Sequence, residues 1–63
     1  MDLEIGKLYK LRYRFWETIP SELIVITGIS EERDRITYYD ISTGRLYSAF
    51  FTNFTDKYIL SLT

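Results

Sequence analysis

The stretch Lys7-Leu8-Tyr9-Lys10-Leu11-Arg12-Tyr13-Arg14-Phe15-Trp16 decides the fold. Tyr9, Leu11, Tyr13 and Phe15 recur at every second position. Lys10, Arg12 and Arg14 fill the places between them, with Leu8 and Trp16 at the ends. Alternation of apolar and polar side chains with a period of two is the pattern of a half-buried strand. Tyr, Phe and Trp also suit a pleated, half-buried surface better than a helix. Residues 7–16 are therefore predicted as the first strand, with the odd-numbered face inward.

The same grammar continues on the C-terminal side. Residues 17–21 contain Pro20, which lacks an N–H and fits a loop or strand entry. Residues 22–29 form a second strand whose run Leu23-Ile24-Val25-Ile26 is apolar on both sides. Such a run is expected where a strand is covered by two layers or bends from one sheet into another, with Gly28 at the bend. Residues 30–34 are a charged loop tip and residues 35–41 a third strand, with Tyr38 and Tyr39 on opposite faces. Ser42-Thr43-Gly44 is a hairpin signal, with Gly44 free to take positive φ. Residues 45–51 make a fourth strand, and residues 52–56 a tight or 3₁₀ turn rich in Asn, Thr and Asp. Residues 57–62 make a fifth strand, with Tyr58, Leu60 and Leu62 on one face.

Five short strands with one helical turn before the last resemble an SH3-like small β-barrel of the Tudor or KOW type. The resemblance spans residues 6–62 and includes the opening Ile5-Gly6-Lys7-Leu8-Tyr9. It implies an all-β, five-stranded barrel that forms one domain over residues 1–63 and binds through one face or rim. The first loop is short and Thr52-Asn53-Phe54 lacks a proline, so the polyproline-binding pattern of SH3 domains is not reproduced.

Composition narrows the function. A chain of 63 residues buries only about 60% of its unfolded surface. Its core must therefore draw on its one Trp, six Tyr and four Phe. Cys and His are absent, which removes disulfides, thiolate metal sites and the commonest nucleophile and base. No Ser-x-x-Lys spacing occurs, and three scattered glycines make no phosphate cradle. Glu31, Glu32 and Asp34 share one loop tip and miss the spacing of a calcium loop. The expectation is a protein that is not an enzyme and holds no metal or cofactor. No apolar run approaches the ~20 residues of a membrane helix, and the acidic start Met1-Asp2-Leu3-Glu4 is unlike a signal peptide. A cytoplasmic location with no membrane contact is expected.

Two features suggest binding. Lys10, Arg12 and Arg14 project in a row with Trp16 in step, and alternate side chains recur about every 6.6–6.8 Å along a strand. An ordinary wet face would pair these cations with Glu22, Glu32 or Asp40 across the sheet. In addition, a chain this small cannot bury all of Trp16, Ile19, Tyr38, Tyr39, Tyr47, Phe51 and Phe54, and a contiguous remainder marks an interface. The candidate partner-binding set is Lys10, Arg12, Arg14, Trp16, Tyr39 and Tyr47. The expected function is a non-enzymatic protein-interaction module, with a homodimer as one form. Its size and style are those of phage or mobile-element accessory proteins that act as stoichiometric inhibitors or adaptors of host machinery. A nucleic-acid-binding barrel that uses the same cations and rings is the alternative, although a net charge of −1 lacks the usual basic footprint.

Overall fold

The computed structural model describes residues 3–63. Five antiparallel strands form one sheet: β1 Leu8–Tyr13, β2 Glu22–Ser30, β3 Arg35–Asp40, β4 Arg45–Phe50 and β5 Tyr58–Leu62. A helix, α1 Phe51–Lys57, joins the last two strands. The strand order is β4-β3-β2-β1-β5, so the sheet is open and β4 and β5 are its edges. The all-β class is therefore as expected, but closure into a barrel is not what the strand pairing shows.

Register explains the core. Tyr9 lies opposite Ile24 and Leu11 opposite Glu22, so the odd positions of β1 share a face with the even positions of β2. Ile26 lies opposite Tyr38, and the register shifts between Ile26 and Gly28. This bulge reverses the parity of β2, so that Ile29, opposite Ile36, again points inward. The inner face holds Tyr9, Leu11, Ile24, Ile26, Ile36 and Tyr38, all buried. Phe54 of α1 completes the cluster, with its ring 5.0 Å from Tyr38 and 5.1 Å from Tyr58. Gly28 does serve the bend, and Thr37 is the reason nothing larger fits. A Cβ at Gly28 would stand 2.7 Å from the Thr37 hydroxyl.

Both turns around β3 behave as local chemistry dictates. Gly44 adopts φ 72° in the β3–β4 hairpin, where Asp40 Oδ1 accepts the N–H groups of Ser42 and Thr43 at 2.8 and 3.2 Å. Asp34 adopts φ 51° in the β2–β3 turn, a conformation that Asp tolerates better than most residues. Its carboxylate then reaches the first turn of α1. It accepts the Thr52 N–H at 3.1 Å and the Thr52 hydroxyl at 2.8 Å. The Asp34 carbonyl takes the Phe51 N–H at 2.8 Å. The helix has no cap from its own flanking residue, Phe50, and a distant loop supplies one instead.

Several boundaries differ from expectation. β1 ends at Tyr13, because its partner β5 begins at Tyr58 and beyond that lies α1. Phe15, expected inside, is 71% exposed. β2 is not covered on both sides: Ile24 and Ile26 are buried, while Leu23 is exposed and Val25 half-buried. The single open sheet offers no second layer to cover them. The turn expected over residues 52–56 is an α-helix starting one residue earlier. Leu62, although in phase with Tyr58 and Leu60, is exposed at the end of its strand.

Candidate partner-binding face

The outer face of the sheet is built from the positions that alternate with the core. Register places Leu8 beside Val25, Val25 beside Tyr39 and Tyr39 beside Leu46. These four side chains form an apolar row that crosses four strands, roughly 14 Å from first to last at about 4.8 Å per strand. Leu23 and Ile41 extend it in the next row, where the Ile41 N–H bonds the Leu23 carbonyl at 2.9 Å. Leu8, Leu23, Tyr39, Ile41 and Leu46 are all exposed, Leu46 at 69%.

Charge is segregated on this surface. Lys10 lies opposite both Leu23 and Ser61, and Arg12 opposite Ile59. Together with Ile59 and Ser61 these two cations line a shallow groove of about 160 Å³. Arg35 stands at the far side, its guanidinium 5.1 Å from the centre of the Phe50 ring and 3.0 Å from the Ser48 hydroxyl. No Asp or Glu occupies an outward strand position. Glu22 and Asp40, the expected partners of the basic row, face the opposite side of the sheet. The ion pair found among the described residues is Lys7 with Glu4 at 3.3 Å, both exposed. Among the described residues no acid pairs with Lys10 or Arg12, and both stand beside apolar surface.

The other predicted site residues divide. Tyr39 is on the outer face with Lys10 and Arg12, 38% exposed. Tyr47 is on the inner face, because it pairs with Tyr38 and stacks on it at 5.5 Å. Arg14 leaves the row: it lies beyond β1, and its guanidinium bonds the carbonyls of Thr55 at 2.9 Å and Tyr58 at 3.4 Å. Trp16 also lies beyond the strand, 54% exposed and edge-on to Phe15 at 6.2 Å. A row of three cations with Trp16 in step therefore reduces to Lys10 and Arg12. The reading of residues missed Leu8, Leu23, Val25 and Leu46. Their signal was present in Leu8, Leu23 and Val25, which are apolar yet out of phase with the inward row.

Among the described residues the one carboxyl with a shifted pKa lies on the inner face. Glu22 sits diagonally across from Asp40, which is 2% exposed and already accepts two backbone N–H groups. A hydrogen bond with Asp40, partial burial and the Asp40 charge push Glu22 up from its ordinary 4.5 to about 7. Below about pH 7 this favours the protonated form of Glu22, which can donate to Asp40. Tyr38 is raised by burial first and then by the negative groups around it; Tyr58 is raised by burial and by Tyr13. These groups lie among packed rings, with Tyr13 and Tyr58 edge-on at 5.0 Å. No cluster of three or more potential metal-ligating side chains occurs among the described residues. None of their helices is long and apolar enough to cross a membrane.

No protein-family model matches this chain, and neither a curated protein nor a solved structure matches it. The outer face must speak for itself.

Proposed function

We propose that this chain is a non-enzymatic protein-interaction module that acts by occupancy, as an adaptor or inhibitor, and binds through the outer face of its sheet. The observation that carries this reading is the conjunction of a continuous apolar row with cations that, among the described residues, no acid pairs. Monomeric proteins rarely leave a contiguous apolar patch without a use for it. Lys10 and Arg12 at its border favour a partner whose apolar contact is rimmed by carboxylates, since complementary charge steers encounter and rejects wrong partners. The fold reading goes with this. Strand order and the helical turn before β5 support an SH3-like barrel left open, a type that binds through a face or rim.

The contact set is Leu8, Lys10, Arg12, Leu23, Tyr39 and Leu46. The deciding experiment is capture from the native host lysate with tagged wild-type chain and with a Lys10→Glu/Arg12→Glu/Tyr39→Ala variant. Wild type is expected to retain one protein in stoichiometric amount. The variant is expected to lose it while keeping the wild-type circular dichroism spectrum. Undiminished capture by the folded variant would remove the outer face from consideration.

Nucleic acid is disfavoured because three outward strand cations on a chain of net charge −1 release few counterions. Fluorescence anisotropy with single-stranded and duplex oligonucleotides at low salt is expected to stay silent to about 100 μM protein, the weak end of non-specific binding.

A further inference from the structure

The two edges of the open sheet are not equivalent. The Phe51 N–H bonds the Asp34 carbonyl at 2.8 Å, in line with the β3–β4 register. In an antiparallel ladder the residues that bond a given neighbour alternate. Hence Arg45, Tyr47 and Ala49 turn their backbone groups toward β3. Those of Leu46 and Ser48, and the N–H of Phe50, turn out of the sheet. The Phe50 carbonyl starts α1, as a residue at that position does.

The same logic applied to β5 gives a different result. The Arg14 N–H bonds the Lys57 carbonyl at 2.8 Å, so Tyr58, Leu60 and Leu62 face outward. There, however, the Tyr58 N–H is taken by the Phe54 carbonyl and its carbonyl by the Arg14 guanidinium. One end of that edge is plugged, and only Leu60 and Leu62 stay open.

β4 carries none of the devices that normally blunt an edge. It has no proline, no lysine and no bulge, and its one charge, Arg45, is at its first position. Leu46 and Phe50 are 69% and 51% exposed on its outer side.

We propose that β4 pairs antiparallel with β4 of a second copy of this chain about a two-fold axis through Ser48, joining two open sheets into one. The register follows from the open groups. With the axis at Ser48 the two Ser48 residues exchange N–H and C=O bonds, and each Phe50 N–H donates to the Leu46 carbonyl of the other copy. Leu46 then lies against Phe50 on the outer face and Tyr47 against Ala49 on the inner face. An axis at Tyr47 would leave Phe50 beyond the partner strand and forfeit its bonds. The Ser48 axis also keeps the two Arg45 cations at opposite ends. Each faces the start of the other copy's α1, where the Asp34 carboxylate binds Thr52. The contact is isologous and closes at two chains. It also lengthens the apolar row, because the outer faces of both copies lie on one side of the joined sheet.

Sedimentation equilibrium on the full chain tests this. The wild type is expected to approach the mass of two chains as concentration rises. Ser48→Pro removes the N–H on the axis, which makes no bond to β3, and is expected to sediment as a monomer with a wild-type circular dichroism spectrum. Ala49→Pro removes an N–H that β3 needs and is expected to unfold, which confirms the parity. If Ser48→Pro fails to fold, Leu46→Glu/Phe50→Glu substitutes for it; these side chains are exposed, their cross-strand neighbours within the chain are Tyr39 and Arg35, and the change sets like charges opposite each other only in the pair. A wild type that stays monomeric at every concentration, or a folded edge variant that still dimerises, overturns the proposal. The outcome is independent of whether the outer face captures a partner.

Discussion

The two faces of this sheet are made by the same strands from neighbouring residues, yet they obey different rules. On the inner face Tyr9, Leu11, Ile24, Ile26, Ile36, Tyr38 and Phe54 pack into one buried cluster, and even the acids are used: Glu22 leans on Asp40, and Asp40 ties down the hairpin. On the outer face Leu8, Val25, Tyr39 and Leu46 stand in a row with nothing over them, bordered by Lys10 and Arg12. The inner face shows what folding requires. The outer face keeps an exposed apolar row and, among the described residues, cations without an acidic partner.

Substitutions sharpen this contrast, and the largest effect belongs inside. Phe54→Ala removes the one buried residue of α1 and its two ring contacts, with Tyr38 and Tyr58. Such truncations cost about 3–5 kcal/mol, against a total stability of roughly 3–9 kcal/mol for a domain of this size. Thermal melts of this variant are therefore expected to show a chain largely unfolded at room temperature. A cooperative melt near the wild-type midpoint would show that α1 is not part of the core.

The carboxyl pair comes next. The folded protein retains the Glu22 proton between about pH 4.5 and 7, a window in which the unfolded chain has lost it. The contribution of Glu22 is therefore complete below about pH 4.5, declines as pH rises to about 7 and is level above. Its partial solvent exposure reduces the effect to about 1 kcal/mol. Glu22→Gln keeps a donor to Asp40 and carries no charge. Urea unfolding at about pH 8 is expected to show it more stable than wild type by that amount, with the difference vanishing near pH 5. An unchanged pH profile would place the proton elsewhere.

The smallest effect is expected outside. Leu46→Ser on the outer row should move stability by no more than about 0.5 kcal/mol, the usual range for surface positions. It should nonetheless weaken partner capture. A loss of stability comparable to Phe54→Ala would mean that the outer row is structural after all.

Much of the fold was legible in the alternation of Tyr9, Leu11 and Tyr13 and in the turn chemistry of Ser42-Thr43-Gly44. Period two and positive φ are local properties, and local properties are written in local sequence. The site was legible only in part. Lys10, Arg12 and Tyr39 share a face because the odd and even positions of β1 and β3 are brought into step by pairing through β2. Tyr47 was assigned to that face, but opposite Tyr38 it turns inward. Nothing in residues 45–50 alone carries that information.

The sequence by itself determined the class, the number of strands and the side of each strand on which hydrophobic mass accumulates, because the pleat fixes these residue by residue. Only the tertiary structure decided where β1 stops, that the sheet stays open and which side chains from different strands become neighbours. Those outcomes depend on register, and register is settled by pairings between segments far apart in the chain. The bulge at Gly28 and the reach of Asp34 to α1 are instances, set by contacts that no single segment contains.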